Sequence, residues 1–110
     1  MGDKSVKLRS TDTGEVVRML TGHRECVRSV AFSADGKFVV SGSGDMSINI
    51  WSTDTAGEVV RTLMGHRDIV RSVAFSADGK FVVSGSADKS VKLWSMDTGE
   101  VVRTYADGSP

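Results

Sequence analysis

The sequence is short of the features that mark several common classes of protein. Its single cysteine, Cys26, cannot close an intramolecular disulfide, so the fold does not depend on an oxidising compartment. Its single proline, Pro110, is the last residue, which leaves every candidate strand free to pair. Charge of one sign is not in excess: 14 Lys and Arg balance 14 Asp and Glu. A net charge of zero excludes a whole-protein bias towards nucleic acid or an anionic membrane, and neither is expected as a partner. No apolar run approaches the ~20 residues of a membrane span. Met1-Gly2-Asp3-Lys4 lacks the apolar core of a secretory signal, so a cytoplasmic location is the expectation. His23 and His66 with no cysteine pair offer no zinc spacing. Gly42-Ser43-Gly44 precedes no helix and lacks the lysine of a phosphate loop, so it reads as a turn, and no cofactor is expected.

What is present is repetition. Apolar residues make up 39% and charged residues 25%, a globular balance. Residues 14–55 align with 57–98 without a gap, and 32 of those 42 positions are identical, with Ala56 as the extra residue between the copies. A third, partial copy leads the chain. Asp3-Lys4-Ser5-Val6-Lys7-Leu8-Arg9-Ser10 matches Asp88 to Ser95, with Arg9 in place of Trp94, and Asp12 to Arg18 recurs as Asp97 to Arg103. A period of about 42 residues falls in the range of propeller blades.

Each copy reads as four short strands cut by turns. Val27–Ser33 is rich in Val, Ala and Phe. Ala34-Asp35-Gly36-Lys37 carries an Asp-Gly turn signal, and Phe38-Val39-Val40 starts a second strand. Gly42–Asp45 is the next expected turn. Ser47–Trp51 alternates polar and apolar, Thr53–Gly57 turns again, and Glu58–Leu63 is the fourth strand. No window shows a helical apolar period. The continuous apolar runs Val30-Ala31-Phe32 and Phe38-Val39-Val40 predict strands covered on both faces.

These residues resemble the WD-repeat family. Gly22-His23 and Gly65-His66 match its Gly-His pair; Val30–Gly36 and Val73–Gly79 match its strand-a signature; Ser41–Asp45 and Ser84–Asp88 match strand b and its turn; Trp51 and Trp94 match the tryptophan ending strand c. The usual aspartate after that tryptophan is Ser52 or Ser95 here. The resemblance implies an all-β fold of propeller blades, each a four-stranded antiparallel meander with strand a innermost, in a ring completed by homo-oligomerisation. It divides the chain into a leading half-blade over 1–20 (strands c and d), blade 1 over 21–64, blade 2 over 65–106 and a tail over 107–110. Near-identical tandem blades also look like a recently amplified propeller or an engineered consensus with no natural ligand, and both origins stay open.

The resemblance implies a side-chain tetrad in each blade: His23, Asp45, Ser41 and Trp51, then His66, Asp88, Ser84 and Trp94. Burying such polar groups is costly unless each finds a partner, and a satisfied network would lock the d–a loop onto strands b and c. Ser, His and Asp are also hydrolase residues. The structural reading is preferred because the constellation occurs twice, Ser41 lies in a strand and no oxyanion-hole motif accompanies it. No enzyme activity is expected.

Both faces of a propeller blade pack on neighbours, so two blades alone leave two raw faces. Covering several hundred Å² at ~25 cal/mol per Å² is worth roughly 10 kcal/mol per junction before costs. The contact is heterologous, and heterologous contacts close into rings when the rotation allows. Four copies of two blades make an eight-bladed homotetramer, the favoured assembly; a homotrimer of six blades is the alternative. The leading c–d pair is surplus. Its strand d, Glu15–Leu20, either completes a neighbour's blade or is a dispensable remnant.

The resemblance places partner contacts where strand a begins and at the b–c turn: Cys26, Arg28 and Gly44, then Ile69, Arg71 and Ala87. Arg28 and Arg71 recur in register, so a ring would focus positive charge at its channel mouth and suit an acidic peptide or protein. Alternatively, they pair with Glu25 and Asp68 or are simply solvated. Cys26 aligns with Ile69 and reads as an apolar packing residue. The expected function is a non-catalytic protein-interaction scaffold that self-assembles.

Overall fold

The computed structural model describes residues 5–9, 16–21, 23–53 and 59–106. Residues 1–4, 10–15, 22, 54–58 and 107–110 lie outside them, and with them the start of the expected strand d at Glu15, Gly22 of the first Gly-His pair, most of the expected turn Thr53–Gly57, Glu58 and the tail. Ten strands and no helix form three separate sheets among the described residues. The first pairs β1 (Ser5–Arg9) with β2 (Val16–Thr21). The second runs β3 (Val27–Phe32), β4 (Phe38–Ser43), β5 (Ser47–Ser52) and β6 (Val59–Met64) as an antiparallel meander. The third repeats it with β7 (Val70–Phe75), β8 (Phe81–Ser86), β9 (Ser90–Ser95) and β10 (Val101–Ala106). These are a half-blade and two blades.

Local chemistry sets the turns. Between β3 and β4, Ser33 Oγ donates to Asp35 Oδ1 at 2.7 Å, the Lys37 N–H donates to the same oxygen at 2.9 Å, and the Phe38 N–H donates to Ser33 Oγ at 3.0 Å. Gly36 takes the left-handed conformation the turn requires, at φ 74. Ser76, Asp78 and Gly79 repeat the device in blade 2. The turn after strand b begins later than Gly42–Asp45. Strand β4 runs through Gly42 and Ser43, because Ser43 Oγ bonds the Glu25 and Cys26 carbonyls and accepts from the Asp45 N–H, which prolongs the pairing. The chain reverses at Gly44-Asp45-Met46, with Met46 at φ 72, and Lys89 at φ 70 in the second blade.

The sheets stack in chain order. Each blade has a front, facing the preceding sheet, and a rear, facing the following one. Val40, Ile48, Ile50 and Leu63 on the rear of blade 1 pack against Val70, Val73, Val82 and Trp94 on the front of blade 2. Ser29 Oγ accepts the Val73 N–H across that junction at 3.2 Å. Arg61 reaches over the outer edge and donates to the carbonyls of Asp97 and Thr98 at 3.1 and 3.0 Å. On the other side, Val6 and Leu20 of the half-blade pack on Val39 and Trp51 at the front of blade 1, with Leu8 and Val27 alongside.

Coverage on both faces holds only for the middle of this stack. The inner strand β3 is bare on its front: Val30 is 51% exposed and Phe32 60%. The half-blade is two strands wide and covers only the outer part of that face. No described residue lies behind blade 2, so Val91 and Tyr105 are exposed and Val83 and Leu93 half-buried.

Candidate functional site

His23 enters from the loop ahead of β3 with its ring fully buried. Its Nε2 lies 2.6 Å from Ser41 Oγ on β4, and its Nδ1 lies 3.1 Å from Asp45 Oδ2 in the b–c turn. Trp51 Nε1 on β5 donates to the same Ser41 Oγ at 2.9 Å. The second blade repeats the set: His66 to Ser84 at 2.7 Å and to Asp88 at 2.9 Å, with Trp94 Nε1 donating to Ser84 at 2.8 Å. Each histidine also meets its tryptophan edge-on, with ring centroids 6.2 and 6.1 Å apart.

The donors and acceptors order themselves. An indole N–H can only donate and an ionised carboxylate can only accept. Ser41 therefore accepts from Trp51, and His23 donates from Nδ1 to Asp45; a neutral His23 then accepts the Ser41 proton at Nε2. Burial pushes the Asp45 carboxyl up. The hydrogen bonds from the Ser47 hydroxyl, the Arg24 and Ser47 N–H groups and His23 outweigh it and hold the carboxyl below its ordinary range. Asp88 is held low by the same contest, with Ser90, Arg67 and His66 as its donors. No buried side-chain nitrogen or oxygen among the described residues lacks a partner.

The order Ser–His–Asp is that of a hydrolytic triad, but both serines are closed off inside their blades. Ser41 is 0% exposed and Ser84 1%. Their hydroxyl oxygens already accept an indole proton. The network joins the d–a loop to strands b and c within one blade. Ser47 and Ser90 belong to it and escaped sequence reasoning. Ser47 Oγ donates to Asp45, Ser90 Oγ donates to Asp88, and both lie near the histidine Nδ1. The recurring Asp-x-Ser at 45–47 and 88–90 was the available signal.

The six surface positions gather at one end of the two blades. The Gly44 N–H donates to the Cys26 carbonyl and the Ala87 N–H to the Ile69 carbonyl, each at 3.0 Å. A methyl group at Gly44 would lie 3.7 Å from Ile69 and 3.8 Å from Arg28 Nε, so the sets of the two blades adjoin. Cys26 is half-buried, and Arg28 and Arg71 are exposed. Among the described residues neither arginine pairs with Glu25 or Asp68; the ion pairs found are those of His23 with Asp45 and His66 with Asp88. Lys89, which sequence reasoning missed, shares a shallow hollow with Arg71. No helix among the described residues is long and apolar enough to cross a membrane.

Comparison with known proteins points the same way. The family described as WD domain, G-beta repeat matches residues 14–52 and 57–95. Striatin of Homo sapiens is 32% identical over 53 residues, covering 48% of this chain and 7% of striatin. Nuclear distribution protein PAC1 of Arthroderma otae is 43% identical over 49 residues, covering 44% of this chain and 11% of that protein. The chain thus spans a small fraction of the relatives it matches. With two repeats matched in register and two four-stranded meanders carrying the same His–Ser–Trp–Asp network, the chain belongs to the WD-repeat family, whose members generally serve as protein-interaction scaffolds.

Proposed function

We propose that this chain is a non-catalytic, cytoplasmic interaction scaffold whose first partner is itself. The rear of blade 2 receives the front of blade 1 from another copy, head to tail, and four copies close an eight-bladed ring; three copies and six blades are the alternative. One observation carries this reading. A methyl group at Gly42, on the rear of blade 1, would meet Val70 Cγ1 at 2.5 Å and Val73 Cγ1 at 3.1 Å, whereas at Gly85, the same position in blade 2, nothing lies within 4 Å. The groups that would fill Gly85 in the same manner are Val27 and Val30 of a neighbour, and Val30 stands exposed.

The test is native mass at micromolar concentration. Assembled chain is expected, and Gly85→Ala, whose methyl meets nothing within 4 Å among the described residues, is expected to weaken assembly at least tenfold. A compact single-chain species throughout that range overturns the reading. The assembled ring would bring Arg28 and Arg71 of every copy to one rim, which favours an acidic peptide as ligand. Replacing both arginines with serine should abolish binding of such a peptide at low salt; unchanged binding would retire the acidic-ligand part alone.

A further inference from the structure

The front of blade 1 is already half occupied, and by a piece of its own chain. Val6, Leu8 and Leu20 of the half-blade stand at the repeat positions of Val91, Leu93 and Tyr105 on the rear of blade 2. They rest on Val39 and Trp51, the surface that a neighbour's blade 2 would need. The half-blade does this incompletely. Among the described residues no strands a and b stand beside it, and the inner face is a hollow lined by Ser5, Val6, Lys7, Arg28, Ser29 and Val30. The junction within the chain shows what full cover achieves: Val73, in the position of Val30, is 6% exposed against 51%, and Val70 is wholly buried where Val27 is only half-buried.

From this we infer that the β1–β2 half-blade is a displaceable cap, and that its docking on Val39 and Trp51 is mutually exclusive with the docking of a second copy's blade 2. The inference rests on the self-association proposed above and adds its regulation. Three observations support displacement over joint occupancy. The half-blade and the rear of blade 2 present equivalent side chains, so both cannot lie on one surface. A full blade buries Val30 and half-buries Phe32 in addition, as blade 1 does for Val73 and Phe75, and Ser72, equivalent to Ser29, can accept the Val30 N–H of the neighbour as Ser29 accepts that of Val73. Joining β1 to a neighbour's β8 instead would evict Trp94, which is 1% exposed and donates to Ser84, and would put Arg9 in its place. Arginine at that position does not restore the indole that fills the junction.

Tethering gives the cap an advantage in dilute solution. A segment on a short linker meets its site at an effective concentration in the millimolar range. The apparent affinity of an incoming copy is reduced by the fraction of chains whose site is open. The cap therefore sets the concentration at which assembly begins, and it shields Val39 and Trp51 until then.

Amide hydrogen exchange on the full chain tests this, followed with native mass from dilute to concentrated solution. Amides of β1 and β2 are expected to be protected in the single chain and to lose protection as copies assemble. Assembly in which β1 and β2 keep or gain protection overturns the cap and leaves self-association standing. No assembly at any concentration overturns both. A second measurement uses Leu20→Asp, which loosens the half-blade without touching the junction between the blades. Its assembly is expected to begin at a concentration at least tenfold lower than that of the unaltered chain, and Leu8→Asp should act in the same direction. A shift to higher concentration in either variant would make the half-blade an integral part of the contact and end the inference.

Discussion

Val30 and Val73 hold the same position in two copies of one repeat, in strands of identical sequence, VRSVAF. One is half exposed and the other is buried. The contrast recurs across the two blades. Ile48 and Ile50 are closed off on the rear of blade 1, whereas Val91 is 40% exposed and Leu93 half-buried on the rear of blade 2. The networks inside the blades do not share this contrast, since their distances agree to within about 0.2 Å. Stability within a blade is thus local and repeats with the sequence. Stability between blades depends on which neighbour stands on each side.

Substitutions can break or sharpen this comparison. The largest effects belong to the indoles. Trp51→Ala and Trp94→Ala are each expected to cost about 3–5 kcal/mol in urea unfolding, because each empties a buried site and takes from a buried serine one of its two partners. A loss below 1 kcal/mol for either would mean that its network does not hold its blade. Next comes the glycine pair. Gly42→Ala drives a methyl into stiff Val70 and is expected to cost about 1–3 kcal/mol. Gly85→Ala, measured on dilute single chains, should change stability by less than ~0.5 kcal/mol. Equal losses would show the rear of blade 2 to be covered after all. The valine pair is smaller. Val73→Ala should cost about 2 kcal/mol and Val30→Ala no more than ~0.5 kcal/mol in the same dilute chain. Equal values would show that β3 is buried in solution.

The smallest effect is that of pH. Asp45 and Asp88 have folded values below their unfolded ones. Their contribution is therefore complete above pH about 4 and is lost as the pH falls from there through the folded value. The urea midpoint should fall with acid over that range, and Asp45→Asn with Asp88→Asn should flatten the fall. Asp88→Asn should remove the larger share, since Asp88 is held further below its ordinary range than Asp45. An unchanged fall in the double variant would assign the acid sensitivity to other carboxyls.

Much of this was legible in the residues. Alternating and continuous apolar runs located the strands, and Asp-Gly located the a–b turn, because those signals report short-range backbone preferences. The b–c turn was placed two residues early because Gly42 and Gly44 look alike in sequence. Only the hydrogen bonds of Ser43 distinguish a glycine within a strand from one in a turn. The tetrads came from resemblance, and Ser47 and Ser90 were missed because serine after a turn aspartate is unremarkable until its hydroxyl is seen beside the histidine. Arg28 and Arg71 were found by their recurrence, but their freedom from Glu25 and Asp68 is a matter of side-chain placement that spacing does not fix.

By itself the sequence determined the blade: four strands, their order, and a polar network whose members lie within one repeat. It did so because those contacts join residues at fixed separations along the chain. Only the tertiary structure decided which copy of each surface is covered. Identical residues cannot encode different neighbours; the stacking of a half-blade, a blade and a blade leaves Val30 and Gly85 open while closing Val73 and Gly42.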